Sequence, residues 1–511
     1  MSDHPITQRL LDLPPGWRER IVFASAAGSL SFAELGESMR LFASWLGQVA
    51  GVGPGDRVAV CLPKGLEAVQ IVYGVLHAGA TYAPLPFHSP AARLRAILSS
   101  LRPRLLLTTA AVARRLAGEA EATSLPPIRE IEPEACGRGL APLLQGIRPS
   151  PVASISPDDL AAIYFTSGST AEPKGVMLSH RNIATSIGAM QRRDRLAEHD
   201  RRISHAGMHY VASFDLFLPT VSGCRVFLLT EREAMFPEHM VEVMARERPT
   251  VWTSSTTALR LLLDQGGLAR YDLRELRRVA FYGEPMPPAV LRRLMDALPY
   301  TEFLNHYGAT EVYNMAYYLV PRPLPDLAAL PIGRPVDHCV LTLRDQSGAE
   351  VKAGEVGEIC VTGPAVTSGY WHDPELTAAK RLEGRPDSYR TGDLAVLGED
   401  GLLRLVGRSD HVVKLRGHRF GLAEIEAALK AHDHARDAVA IAVPRSQGDA
   451  EIRAAVSSEA GAGIEPGLRR LCHERLPAFA QPARITILRR FPLLSTGKVD
   501  RQALQRLLAT D

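Results

Sequence analysis

The sequence predicts an α/β protein in two parts. A large N-terminal domain of βαβ subdomains plus a β-rich subdomain spans residues 1–409, and a small α+β C-terminal domain spans 410–511. Three observations carry this. Helix-period and strand-like runs alternate up to about residue 150 and again from about 157 to 320. From about residue 330 the texture changes to short strands and turns, and CVLTLRDQSGAEVKAGEVGEICVTG is a β-meander rather than a βαβ unit. After GRSD (407–410) a separate pattern begins, which places the boundary near residue 409. A chain of 511 residues also exceeds what one hydrophobic core serves.

The elements follow in order. LSFAELGESMRLFASWLGQV (30–49) repeats apolar residues at helical spacing, and DRVAVCL (56–62) is a short buried strand after a Gly-Pro-Gly turn. GLEAVQIVYGVLHAGATYAPL gives a helix closed at Gly79 and then a strand; PRLLLTT (103–109) continues the rhythm. In the second stretch, strands fall at AAIYFTS, CRVFLLT, TVWTSS and RRVAFYG, separated by helical segments. The last part reads as a hairpin, the helix LAEIEAALKAH, strands DAVAIAV and ARITIL, and a final helix RQALQRLLAT. Neither an internal repeat nor a low-complexity linker interrupts it.

Composition excludes several classes. With 46% hydrophobic and 23% charged residues the chain matches a globular average, not a disordered or fibrous one. No run of about 18 apolar residues offers a membrane span, and MSDHPITQRL is not a signal peptide. Six scattered cysteines argue against a zinc site or a disulfide framework, so a cytoplasmic location is expected. The basic residues are 52 Arg and 7 Lys. They form no aromatic-interleaved tract, so no nucleic-acid partner is expected, and pairs such as Arg192-Arg193 and Arg201-Arg202 read as solvated faces. The few lysines stand out, because a chain that otherwise uses Arg keeps Lys where a compact ammonium is needed.

The sharpest local feature is YFTSGSTAEPKGV (164–176). A strand runs into a loop of Thr166, Ser167, Gly168, Ser169 and Thr170, with Lys174 behind it. Small residues admit close backbone approach, hydroxyls and N–H groups donate, and Lys adds charge, which together suit a polyphosphate. The spacing is not that of a Walker A loop, and the plainer alternative is an ordinary Ser/Gly turn.

This loop resembles the phosphate-binding signature of the adenylate-forming superfamily, which includes acyl-CoA synthetases, nonribosomal-peptide adenylation domains and luciferases. Companion motifs follow in the family order: NHYGATE (305–311), YRTGDL (389–394), GRSDHVVKLRGHRFGLAEIE (407–426) and STGKVDR (495–501). The resemblance covers essentially the whole chain and implies ATP-dependent activation of a carboxylate as an acyl-adenylate, with a mobile C-terminal domain.

The resemblance assigns roles by motif. Thr166, Ser167, Gly168, Ser169, Thr170 and Lys174 would hold the ATP phosphates. Tyr307 would stack on adenine, and Gly283 and Glu284 would border the ring. Glu311, after Thr310, would bind Mg²⁺, since a hard cation takes a carboxylate with phosphate oxygens. Asp393 would accept from the ribose hydroxyls with Arg408 in support. Lys498 would bridge the carboxylate and the α-phosphate, Asp410 would be the hinge, and Leu415–Arg419 would face a pantetheine arm. Two positions depart from the pattern: Ala171 replaces the usual Gly, and Ala309 replaces Pro or Ser.

The closing segments resemble carrier-protein-loading adenylation domains, which implies a separate peptidyl or acyl carrier protein whose phosphopantetheine thiol accepts the acid. Amino-acid-activating relatives carry an Asp for the substrate ammonium, but in GMHYVASFDLFLPTVSG Tyr210 takes that place, and His209 stands where aryl- and acyl-activating relatives often have His. A small or aryl acid, or an unusual amino acid, is therefore expected. A competing alignment makes Asp215 the ammonium ligand. Further pocket positions are Val211, Phe214, Ser254, Ala280, Tyr282, His306, Asn314 and Met315. Competing functions are a CoA ligase for a small or aryl acid and a catalytically silent binding protein on the same fold.

Overall fold

The computed structural model describes residues 6–118, 125–152, 154–167, 173–408, 412–415, 418–444, 450–476, 480–494 and 499–510. The chain divides into two compact units, Met1–Leu341 with Val361–Tyr389, and Thr342–Cys360 with Arg390–Asp511. Residue 409, where the sequence places the boundary, lies outside the described residues.

In the first unit the described residues form a nine-stranded and a seven-stranded sheet. In the larger, Arg201–Ser204, Val251–Ser255, Arg278–Tyr282 and Glu302–Ala309 run parallel side by side, and Val312–Leu319 returns antiparallel. In the smaller, Leu160–Ser167 lies between the parallel strand Thr81–Pro84 and the antiparallel strand Pro173–Ser179. The expected helices are present. Phe32–Gln48 starts at Ser31, whose hydroxyl accepts from the Glu34 N–H while Glu34 accepts from the Ser31 N–H. Leu66–His77 is buried along its whole length, as its nearly uniform apolarity requires. Parallel strands demand cover on both faces. Trp252, Val279, Phe281 and Phe303 fill one face of the larger sheet against Met240, Leu262 and Leu294 from the flanking helices.

One expectation is corrected here. The Arg192-Arg193 and Arg201-Arg202 pairs are not wholly solvated: the Arg193 and Arg202 side chains are 2% and 0% exposed, whereas Arg192 is 48% exposed and bonds Asp337 at 2.6 Å. Adjacent residues on a strand point to opposite faces, and on a helix they diverge by about 100°, so one member of each pair turns inward. Asp194, itself 0% exposed, accepts from Arg193 at 2.8 and 2.9 Å and faces Arg202 at 3.5 Å. Arg193 also donates to Asn314, so buried charge pins the helix His180–Asp194 to two strands of the sheet, and Arg202 donates in turn to Thr253 on a third.

In the second unit, the strands Asp437–Pro444, Ala450–Ser457 and Arg484–Leu488 form a sheet. Ile425, Leu429, Ala440, Ile452, Val456 and Leu468 form its core. The strand Ala450–Ser457 and the helix Glu465–Arg475 lack a strong sequence signal: AEIRAAVS is Ala-rich, and EPGLRRLCHER is too polar to read as a helix. Tertiary burial of Ala454, Leu468 and Cys472 organises them. The expected hairpin pairs Val412–Leu415 with His418–Gly421.

Candidate active site

The segment expected to bind phosphates joins two antiparallel strands. Leu160–Ser167 and Pro173–Ser179 pair antiparallel, with Thr166 opposite Lys174 and Ser167 opposite Pro173. The strands therefore bring the hydroxyl of Thr166 and the Lys174 side chain to the same end of the ladder. Gly168, Ser169, Thr170 and Ala171 lie outside the described residues. The next described element is the strand Pro173–Ser179, whereas a Walker A loop is followed by a helix.

The second component is the hairpin Glu302–Leu319. Tyr307 is buried near the end of the first strand, and Thr310 and Glu311 form the turn. Gly308 has a physical reason to be glycine, because a Cβ there would collide with the Tyr313 carbonyl. Glu311 is half-buried and accepts from the Tyr370 hydroxyl at 2.6 Å; Tyr389 also bonds it. Burial and the Glu311 charge push both phenols far above their ordinary range. Neither donor is cationic, and among the described residues no cation pairs with Glu311, so its carboxylate fits a hard metal ion.

The third component is the row of strand ends beside it. In open α/β sheets such carboxyl ends are where ligands bind. Ser255, Tyr282 and His306 are in register across three strands, and Gly283 follows with φ +93°, a conformation that favours glycine. Glu284 is held by Thr256 and Thr257, whose hydroxyls donate to its carbonyl and carboxylate at 2.8 and 2.6 Å.

The structure sorts the expected pocket residues. Phe214, Tyr282 and His306 come together through an aromatic cluster: Phe214 lies 5.1 Å from Tyr313, Tyr313 lies 5.3 Å from His306, and His306 lies 6.3 Å from Tyr282. Ala280, two residues before Tyr282, shares its face. Ser254 does not join them, because the register sets it beside Phe281 and Asn305 on the opposite face. Asn314 also turns away, donating to the Ser186 carbonyl and accepting from Arg193. Its neighbours Tyr313 and Met315 take the other face. Tyr313 was therefore missed by sequence reasoning, and strict alternation from Met315 was the signal that could have found it.

His209 and Tyr210 precede the 3₁₀ segment Val211–Phe217, with ring centroids 4.0 Å apart. Burial, with Arg93 and His88 adding positive charge, pushes the His209 imidazole down to about 4, so it is neutral at pH 7. Tyr210 is 37% exposed and Val211 half-buried. Asp215 is buried, and it faces Lys64, Ser204 and Arg202. Burial raises its carboxyl more than the Lys64 ammonium lowers it. Lys64, one of the rare lysines, donates to the Ser204 hydroxyl and to the Ala206 carbonyl, the latter at 2.8 Å; burial lowers it to about 8. Among the described residues the Asp215 Oδ1 has no hydrogen-bond partner, so the carboxylate keeps a free acceptor.

Within the second unit, Asp393 and Arg408 are cross-strand partners, and the guanidinium donates to the carboxylate at 2.8 Å. The Thr391 hydroxyl accepts from the Asp393 N–H at 3.0 Å, and Glu358 accepts from the Gly392 N–H, which fixes the turn that aims the carboxylate. Asp410 and Lys498 lie outside the described residues. Among the described residues no cluster of three or more metal-ligating side chains occurs, and no helix is long and apolar enough to cross a membrane.

Parallel strands ending beside a Ser/Thr-Lys hairpin and a His-Tyr-Gly-Ala-Thr-Glu turn define an adenylate-forming enzyme. The chain belongs to the AMP-binding enzymes: that family's model matches residues 15–371, and the model of the AMP-binding enzyme C-terminal domain matches residues 424–498. It is 34% identical over 473 residues to an L-proline–[L-prolyl-carrier protein] ligase of Streptomyces coelicolor, covering 89% of this chain and 88% of the relative. It is 33% identical over 497 residues, 95% of this chain, to the phenyloxazoline synthase MbtB of Mycolicibacterium paratuberculosis, but spans only 40% of that protein's length. Among solved structures, the amide bond synthetase McbA from Marinactinospora thermotolerans superposes with a TM-score of 0.85 at 26% identity, covering 98% of this chain and 99% of that one.

Proposed function

We propose that this chain is an ATP-dependent acid–thiol ligase that loads a carboxylic acid onto the phosphopantetheine of a separate carrier protein. The observation that carries this reading is the single hairpin Glu302–Leu319, which holds the adenine-stacking candidate Tyr307, the Mg²⁺ candidate Glu311 and the acid-pocket residues His306 and Tyr313. In this reading a carboxylate oxygen attacks the α-phosphorus of ATP, the bond to pyrophosphate breaks, and an acyl-adenylate results. Thr166 and Lys174 orient the departing phosphates, Asp393 and Arg408 hold the ribose, and Lys498 offsets the charge that grows in the transition state. Mg²⁺, when bound, would neutralise phosphate oxygens from the Glu311 carboxylate. The thiol then displaces AMP from the carbonyl carbon, forming a thioester, once the segment Leu415–Arg419 of a C-terminal domain beginning near Asp410 faces the thiol.

The acid is small or aromatic, or an amino acid whose amine is not held by the usual Asp. Tyr210 stands at that place, and Asp215, whose Oδ1 has no hydrogen-bond partner among the described residues, is the competing ammonium ligand. ATP–pyrophosphate exchange across amino, aryl and short acyl acids tests the first half-reaction, and a complete absence of exchange would refute it. A second reading, a CoA ligase, is favoured by His209 beside Tyr210. Thioester formation with CoA but not with a purified holo-carrier protein would establish it in place of the first.

A further inference from the structure

The buried side chains of His306 and Tyr313 each carry a polar atom unpaired among the described residues. Both side chains are more than nine-tenths buried, and among the described residues neither the His306 Nδ1 nor the Tyr313 hydroxyl has a hydrogen-bond partner. Buried polar groups in folded proteins are almost always paired, so two adjacent unpaired ones need a reason. Their rings are 5.3 Å apart at 78°, and Phe214 and Tyr282 flank them.

The backbone fixes the chemistry of this pair. His306 Nε2 lies 3.0 Å from the Tyr313 carbonyl oxygen. A carbonyl can only accept, so Nε2 carries the proton. Burial, helped by the nearby Arg193 charge, pushes the imidazole down to about 3, so the ring is neutral at any working pH. A neutral ring with its proton on Nε2 presents a bare lone pair at Nδ1. The wall therefore offers one obligate acceptor beside one hydroxyl, framed by aromatic faces. An apolar acid would leave both unmade, whereas a flat acid bearing an O–H or N–H donor would satisfy them.

We propose that His306 and Tyr313 select an aromatic acid carrying a hydrogen-bond donor, such as a ring hydroxyl or amine, with the donor directed at His306 Nδ1. This rests on the ligase reading and deepens it by naming the substrate class. His306 and Tyr313 are specificity residues in it, not participants in phosphoryl transfer.

The test uses the full chain in two assays, ATP–pyrophosphate exchange and equilibrium dialysis. The probes are the ortho, meta and para hydroxybenzoates, their methyl ethers, and benzoate. A methyl ether keeps the oxygen acceptor and removes only the donor. One hydroxy acid should exceed its ether and benzoate by about tenfold in kcat/KM, the size of one hydrogen bond. His306→Gln, whose amide can keep the bond to the Tyr313 carbonyl while the acceptor at the Nδ1 position is lost, should narrow that ratio to within about threefold. Tyr313→Phe removes a donor that hydroxyl and ether oxygens accept alike, so it should lower kcat/KM for both and leave the ratio unchanged; melting temperature confirms that each variant folds. Equal use of hydroxy acids and ethers, or a ratio unmoved in folded His306→Gln, overturns the proposal while exchange itself upholds the ligase reading. Saturable, hydroxyl-dependent binding without exchange upholds the His306–Tyr313 recognition but overturns its role in a ligase. Neither binding nor exchange with these probes overturns the proposal, while exchange with an amino or short acyl acid in the same assay still upholds the ligase reading.

Discussion

The Tyr370 hydroxyl donates a 2.6 Å hydrogen bond to Oε1 of Glu311, joining two segments 59 residues apart in sequence. Tyr370 belongs to the two-residue strand that pairs with Pro173–Ser179, the return strand of the phosphate hairpin. The bond therefore ties the acidic turn to the strand that carries Lys174. In the ligase reading, where Glu311 is the proposed Mg²⁺ ligand, Glu311→Gln should lower pyrophosphate exchange about a hundredfold. Tyr370→Phe should be milder, raising the Mg²⁺ concentration for half-maximal exchange about tenfold with kcat at saturating metal largely kept, as for other groups that orient a metal ligand. Titrating Mg²⁺ at fixed ATP checks both.

Asp194 neutralises the most buried part of the arginine cluster. Burial alone would push its carboxyl up, but Arg193, with Arg202 and Arg278 behind it, holds it below the usual range. Asp194→Ala should destabilise the fold by about 3 to 5 kcal/mol, because it strands buried guanidinium charge. The sign follows from the lowered pKa: this contribution is complete above the unfolded carboxyl pKa and disappears as pH falls through the lower folded value. Urea unfolding of the variant and the parent at pH 7 measures the difference.

His180 opens the helix His180–Asp194 fully buried, and neither of its ring nitrogens has a partner among the described residues. Burial lowers it to about 4 against the opposing pull of Asp159. Its unfolded pKa is higher, so between pH 6.5 and about 4 the unfolded chain binds more protons and stability falls with pH. His180→Phe should remove about 1 to 2 kcal/mol of the loss between pH 7 and 5. An unfolding midpoint with the same pH dependence in both proteins would contradict this.

Lys498→Ala should abolish exchange while circular dichroism and melting temperature stay at parental values, since its assigned work is confined to the transition state. Asp393→Asn should instead raise KM for ATP about tenfold, by weakening the proposed ribose contact and the 2.8 Å bond to Arg408. Retained exchange in the Lys498 variant would remove that residue from its role.

The motifs were legible because their chemistry is local. YFTSGSTAEPKGV, NHYGATE and YRTGDL declare their residue types at fixed spacing, and the alternating apolar runs predict the strands that carry them. Asp393 and Arg408, read as a working pair, prove to be cross-strand partners. Lys64 stood out only as a rare lysine; the fold adds that it is buried against Ser204 and near Asp215.

By itself the sequence determined the family, the order of the motifs and most elements, since spacing and periodicity depend on neighbours along the chain. Tertiary structure alone decided which face each residue takes. Strand register turns Tyr313 toward His306 and Asn314 toward Arg193, although the two adjoin in sequence. Helix phase and strand pleat bury Arg193 and Arg202 while leaving Arg192 and Arg201 partly in water. The physical reason is the same in each case. A one-residue shift reverses a side chain's direction, and the free energy that fixes the phase comes from burial against segments far away in sequence.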